Sequence, residues 1–279
     1  MDMSGDFNVN ISIEQHHDIQ ERYLREVPSI LPEERPLEWQ TLKAVKTSLS
    51  STPVLDEQIC DFEAATWEEL QTITKAKHES GLKQVLINTW PGTLENGDLG
   101  LAALPNRMTE FREKLELSIQ YAKALDCERM HVMAGRKPKY EDEAMEEVYL
   151  DNLQYSADRL QRENILALIE PINSRITEPN YFLTDIHKAI EYIKKVNHPN
   201  LKLMFDCFHI QIMDGNLTKN IKQYLPYIGH IQIASVPDRG EPVDGEIDYQ
   251  YFFKMLDEVG YEGYIGLEYK PRGRYGKQY

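Results

Sequence analysis

The chain has 279 residues, with 31 Lys and Arg against 46 Asp and Glu, for a formal net charge of −15. Hydrophobic residues at 41% and charged residues at 28% supply both a core and a solvated surface, which excludes intrinsic disorder for most of the chain. A grip on nucleic-acid phosphates or on an anionic membrane surface needs a basic footprint, so neither partner is expected.

No stretch approaches the roughly 18 apolar residues of a membrane span. The opening MDMSGDFNVN has neither a basic start nor an apolar run, so no secretory leader is expected. Cys60, Cys127 and Cys207 are odd in number, and no CxxC occurs. Neither a disulfide framework nor a thiolate zinc site is supported, and reduced thiols in the cytoplasm are the expectation.

In chain order, Phe7–Ile13 alternates as a first strand should. Glu14–Val54, with its cluster of prolines, reads as a helix, an irregular insertion and a second helix. Ile59–Ala64 is a weak second strand, followed by a helix over Trp67–Glu79. From there apolar, β-rich runs alternate with helix-patterned ones. The strands are Gln84–Trp90, Glu128–Ala134, Ile165–Glu170, Leu201–Asp206, His230–Ser235 and Tyr264–Tyr269. The helices are Arg107–Asp126, Glu141–Glu163, Thr184–Val196, Leu217–Tyr227 and Asp248–Val259. Phe111, Leu115, Ile119, Ala122 and Leu125 show the helical spacing well. Such alternation predicts right-handed βαβ units, and eight strands close an α/β (β/α)8 TIM barrel, here a single domain over residues 1–279.

In that fold the chemistry lies at the C-terminal ends of the strands. Four successive strands end in or carry a polar residue within an apolar run: Glu170, Asp206, Gln232 and Glu268, at intervals of 36, 26 and 36 residues. Three carboxylates facing one centre repel unless a cation holds them. An all-oxygen set suits a hard divalent ion, Mg²⁺ or Mn²⁺. His209, three residues past Asp206, is expected on a loop over the site as a substrate contact, and His230 is read as a core residue. There is no GxSxG, GxxxxGK[ST], HExxH or GxGxxG, which disfavours serine hydrolase, P-loop, zincin and dinucleotide readings.

LIEPIN (168–173), FDCFHIQIMDGNLT (205–218), GHIQIASVPDRGEP (229–242) and GLEYKPRG (266–273) closely resemble the hydroxypyruvate isomerase family, a branch of the xylose-isomerase-like TIM barrels. LINTWPG (86–92), ALPNR (103–107) and YAKALDCERMHVMAGR (121–136) match as well. The resemblance spans about Trp67 to Gly273. It implies proton transfer by Glu170 and Glu268, and a divalent metal held by Glu170, Asp206, Gln232 and Glu268. The implied reaction isomerises hydroxypyruvate, a small hydroxy-keto acid, to tartronate semialdehyde through an enediolate. Related sugar epimerases usually carry His where this chain has Gln232, which favours the hydroxypyruvate branch. Charge accounting asks for a cation beside the substrate carboxylate, with Arg239, Lys270 and Arg136 as candidates. Residues 1–66 diverge from the family, and the 11 residues after Glu268 imply a shortened or missing final helix. Apolar surface exposed there would favour a homodimer. A ketose 3-epimerase, an abasic-site endonuclease and a non-catalytic relative are the alternatives; the negative charge speaks against the endonuclease.

Overall fold

The structure is a computed structural model, and it describes residues 43–46, 54–55, 67–80, 83–138 and 144–270. Nine strand segments make one sheet: β1 (Lys43–Lys46), β2 (Val54–Leu55), β3 (Lys83–Gln84), β4 (Ile87–Asn88), β5 (Arg129–His131), β6 (Leu166–Ile169), β7 (Leu201–Asp206), β8 (Ile228–Ile233) and β9 (Tyr264–Leu267). Their order is β3-β2-β1-β9-β8-β7-β6-β5-β4. β3 and β4 are two parts of one short run, residues 83–88. That run pairs with β2 on one side and with β5 on the other. The two ends of the order are therefore the same stretch of chain, and the sheet closes into a barrel of eight strand positions.

The helices are α1 (Trp67–Ser80), α2 (Met108–Ala124), α3 (Met145–Gln161), α4 (Ile186–Val196), α5 (Cys207–Met213), α6 (Leu217–Tyr224) and α7 (Tyr249–Glu258). α2, α3, α4 and α7 each cross between parallel strands, as the alternation predicts. Their ends follow local chemistry. The Asp185 side chain accepts from Lys188 N to start α4, and Asn197 ends it at φ 49°. Asp248 caps α7 by accepting from Tyr251 N.

The departures are concentrated before residue 90. Where helices and an irregular insertion are expected over Glu14–Val54, the chain instead forms β1 and reaches β2. β1 runs antiparallel to both β2 and β9. Its pairing satisfies backbone groups on two neighbouring strands, a tertiary gain that local patterning does not register. The predicted strand Gln84–Trp90 is interrupted, leaving only β4 in its middle and the end of β3 at its start. The expected strands Phe7–Ile13 and Ile59–Ala64, and the truncated final helix, lie outside the described residues.

Strand periodicity divides the core in two. Ile169, Leu203, Phe205 and Ile231 face the helices and join Phe111, Leu115, Leu153 and Ile190 in the main core. Leu86, Leu168 and Met204, with Leu166 against them, form a separate cluster that fills the barrel interior. Full burial of each such side chain stabilises by about 1.5–3 kcal/mol. This plug is the floor on which the polar layer rests.

Candidate active site

Moving two residues along a strand keeps the same face, so the layer above the plug follows from the layer within it. Above Leu168 comes Glu170, above Met204 Asp206, above His230 Gln232, and above Gly266 Glu268. Glu170, Asp206, Gln232 and His230 are all buried. Asp206 pairs with Gln232 across β7 and β8, and Gln232 with Gly266 across β8 and β9. Glu268 N donates to Ile233 O at 3.0 Å, which ties the end of β9 to β8. The four strand-end residues predicted from spacing are thus brought to one end of the barrel.

His209 is on a helix rather than a loop. Asp206 is both the last residue of β7 and the N-cap of α5, its Oδ1 accepting from Phe208 N at 2.8 Å. The strand turns directly into α5, whose first turn brings His209 back over Asp206. His209 Nε2 lies 3.6 Å from Asp206 Oδ2 and 3.8 Å from Glu170 Oε1. Asn173 holds the other ring nitrogen, its Nδ2 2.7 Å and its backbone N 3.2 Å from Nδ1. Asn173 N donates to Nδ1, which therefore accepts.

Arg239 enters this cluster from the β8–α7 loop, with φ at +55°. Its Nη2 is 2.7 Å from Glu268 Oε1 and 3.4 Å from Asp206 Oδ2, and its Nη1 is 2.8 Å from His209 Nε2. The guanidinium carbon stacks 4.7 Å from the centre of the Phe208 ring. Burial works against the Arg239 charge, but Glu268, Asp206 and Glu170 outweigh it and hold its pKa above the usual arginine value. Burial pushes the Asp206 carboxyl up, with Arg239 and the α5 amides opposing. Burial, then Arg239, then His131, keep His209 neutral, well below the usual histidine range.

The other two cations expected here are placed elsewhere. Lys270 has an exposed side chain, and its contribution is its backbone N, which donates to Arg239 O at 2.6 Å. Arg136 makes a two-pronged pair with Glu178 at 2.8 Å on both arms, and its Nη1 donates to Gly97 O at 2.5 Å. It clasps three loops at the rim. Two residues escaped the sequence reading: Asn173 and His131. His131 Nδ1 lies 3.1 Å from Asn88 Oδ1 and 3.8 Å from Glu170 Oε2, and burial lowers its pKa to about 3. Its signal is legible in the sequence, because it is a polar residue within the apolar run Met130–Ala134.

Glu170, Asp206 and His209 offer ligand atoms that all lie within 4.8 Å of one another, a span that a metal ion can bridge. The Gln232 amide, fully buried, has no hydrogen-bond partner for either its O or its N among the described residues. A buried amide without a partner is costly unless something binds it. The donor set fits a divalent ion of the Mg²⁺ or Mn²⁺ kind, with Gln232 as a further oxygen ligand. The structure gathers the triad with His209, where the sequence reading put Glu268; here Glu268 is occupied by Arg239.

Residues 52–278 match the family described as xylose isomerase-like TIM barrel, and the chain belongs to that family. Among curated relatives, a Danio rerio protein named "Putative hydroxypyruvate isomerase" is 54% identical over 211 residues, covering 74% of this chain and 76% of that protein. The Escherichia coli protein named hydroxypyruvate isomerase is 39% identical over 204 residues, covering 72% of this chain and 79% of its own. A Pectobacterium atrosepticum protein named 2-oxo-tetronate isomerase is 44% identical, covering 70% of this chain and 75% of its own. Among solved structures, a Brucella melitensis protein titled AP endonuclease, family 2, aligns with a TM-score of 0.71 at 40% identity, covering 74% of this chain and 80% of its own. D-psicose 3-epimerase from Clostridium cellulolyticum aligns at 0.66 with 18% identity, covering 80% and 77%, and shares the fold.

Proposed function

We propose that this chain is an isomerase of 2-oxo-3-hydroxy acids, with hydroxypyruvate as its substrate and tartronate semialdehyde as its product. The observation that carries the reading is the pairing of Glu170 and Glu268, three strand positions apart around the barrel, with the Arg239 guanidinium set among the carboxylates. An acid substrate has use for a buried arginine, and a neutral sugar has less. The relatives named hydroxypyruvate isomerase, at 39–54% identity, support the same class.

The reaction moves the carbonyl from C2 to C3. One glutamate removes the C3 proton to give an enediolate, and C2 is reprotonated, the second glutamate assisting from the other side of the substrate plane. A proton also passes between the two oxygens, so atoms balance with no redox partner. Glu170, Asp206, Gln232 and, once released from Arg239, Glu268 would hold a Mg²⁺ or Mn²⁺ ion, with His209 beside it. When bound, the ion stabilises negative charge developing on the substrate oxygens. His209 and Arg239 would bind the substrate, and His209 is oriented for this by Asn173.

A second reading is specific. The relatives named 2-oxo-tetronate isomerase are 39–44% identical, and a 2-oxo-tetronate carries the same 2-oxo-3-hydroxy unit with one more carbon. The test follows each acid and D-psicose by ¹³C NMR with purified protein and Mg²⁺. Hydroxypyruvate is expected to be converted fastest. Faster conversion of 2-oxo-tetronate selects the second reading, and conversion of psicose alone removes both.

A further inference from the structure

The contacts of Arg239 have a consequence for metal loading, one that rests on the metal reading above. We propose that Arg239 is the resident cation of the carboxylate cluster, that a divalent ion displaces it, and that the displaced guanidinium becomes the clamp for the substrate carboxylate. Nη2 lies 2.7 Å from Glu268 Oε1 and 3.4 Å from Asp206 Oδ2, while Nη1 lies 2.8 Å from His209 Nε2. These are atoms that a metal centre would draw on. A divalent ion held by Glu170, Asp206 and His209 would need the space against Asp206 Oδ2 and His209 Nε2 that the guanidinium fills. Two cations cannot share that space, so binding is competitive.

The backbone around Arg239 restricts the exchange to the side chain. Arg239 N donates to Ser235 O at 2.9 Å, Ser235 N donates to Gly240 O at 2.9 Å, and Arg239 O accepts from Lys270 N at 2.6 Å. The loop is pinned from both sides. The side chain leans on the Phe208 face and is 11% exposed, so it has an apolar surface to slide over and a route toward the mouth. The net effect is ordered assembly. Metal entry frees Glu268, one of the two proposed bases, and at the same time frees the group that receives the acid substrate. Without the ion, Glu268 stays neutralised by an ion pair and the carboxylate clamp is engaged elsewhere.

The test omits substrate. Mn²⁺ binding to the full-length wild type, Arg239→Met and Arg239→Lys is measured by EPR of the free ion, alongside the melting temperature with and without Mn²⁺. Removing the competitor in Arg239→Met should tighten Mn²⁺ binding by roughly ten- to a hundred-fold, the factor one or two charge-assisted hydrogen bonds represent. Its metal-free form should melt below wild type, and saturating Mn²⁺ should close that gap. In wild type labelled with ¹⁵N-arginine, the Arg239 Nε–H resonance, assigned by its loss in Arg239→Lys, should move during Mg²⁺ titration with the midpoint of ion binding. This arm decides the matter even where Arg239→Met folds poorly. Equal Mn²⁺ affinity in wild type and Arg239→Met, or an Arg239 resonance unmoved by bound Mg²⁺, would overturn the exchange while leaving the metal site standing. No Mn²⁺ binding by any of the three proteins would overturn both.

Discussion

The arc of the barrel from β5 to β9 and the arc from β1 to β4 are built on different terms. In the first, strands of three to six residues run parallel, β5 to β8 are each followed by a covering helix, and β6 to β9 lead into the proposed reactive layer. In the second, strands of two to four residues close the ring, one of them antiparallel, with Asn88 as a polar contribution to the centre through His131. The comparison teaches that one arc carries the proposed chemistry on a deep apolar base, while the other closes the ring and adds Leu86 to that base. Barrel folds tolerate this division because the reacting groups need support from beneath and from adjacent strands.

The largest effect expected is on the reactive arc. Glu170→Gln and Glu268→Gln keep shape but remove a proposed base, and each should lower kcat by about 10²-fold or more, with a smaller change in KM. Stopped-flow assay of hydroxypyruvate conversion checks this. An undiminished kcat in either variant would separate that strand end from the chemistry.

Next comes the plug beneath. Met204→Ala opens a cavity in the barrel interior, where Met204, Leu86 and Leu168 pack together. It should cost about 2–5 kcal/mol in a urea unfolding experiment. A loss below ~1 kcal/mol would mean that the interior plug does not support the site in the way the layering implies.

A pH experiment probes the seam between the arcs. Burial lowers the His131 pKa to about 3, below the 6.5 of an unperturbed imidazole. Between those values the unfolded chain binds a proton that the folded chain does not, so stability falls as pH drops through this window and recovers as pH rises. The slope is about 1.4 kcal/mol per pH unit for each such proton. Urea midpoints between pH 4 and 6 should therefore flatten by one proton in His131→Gln relative to wild type. Parallel slopes would show that His131 is charged in the folded state.

The smallest effect lies on the outer surface of the reactive arc. Lys195 and Lys188 hold the Glu146 carboxyl down to about 2. That stability is present above the unfolded value near 4.5 and is lost as pH falls through about 2. Because Glu146 is 40% exposed, water screens the pair, and Glu146→Gln should cost no more than about 1 kcal/mol. Thermal melts at pH 7 in low and high salt measure it.

Legibility followed the same division. LALI is followed by Glu170 and LKLMFD ends in Asp206, so β6, β7 and the carboxylates at their ends can be read directly from spacing. α5 could not, because CFHIQIM is apolar enough to pass as loop or strand, and its start depends on Asp206 acting as a cap as well as a strand end. That hidden turn is why His209 joins the carboxylates. β1 was unreadable for another reason: its state is set by the strands on either side of it, and no local pattern encodes those neighbours. Charge accounting names Arg239 as a site cation, but its contacts with Glu268, Asp206 and His209 lie beyond sequence, since they require a loop with a left-handed residue to aim the side chain back across two strand ends.

The central claim is that the layer at the ends of β6 to β9 transfers a proton at carbon. Deuterium incorporation at C3 of hydroxypyruvate in D₂O, with Mg²⁺ present, reports that step apart from full turnover. Wild type should exchange the C3 hydrogen well above the rate without enzyme, and the Glu170→Gln, Glu268→Gln double variant should fall to that background. Wild-type exchange in the double variant would contradict the account, because neither carboxylate would then be the base.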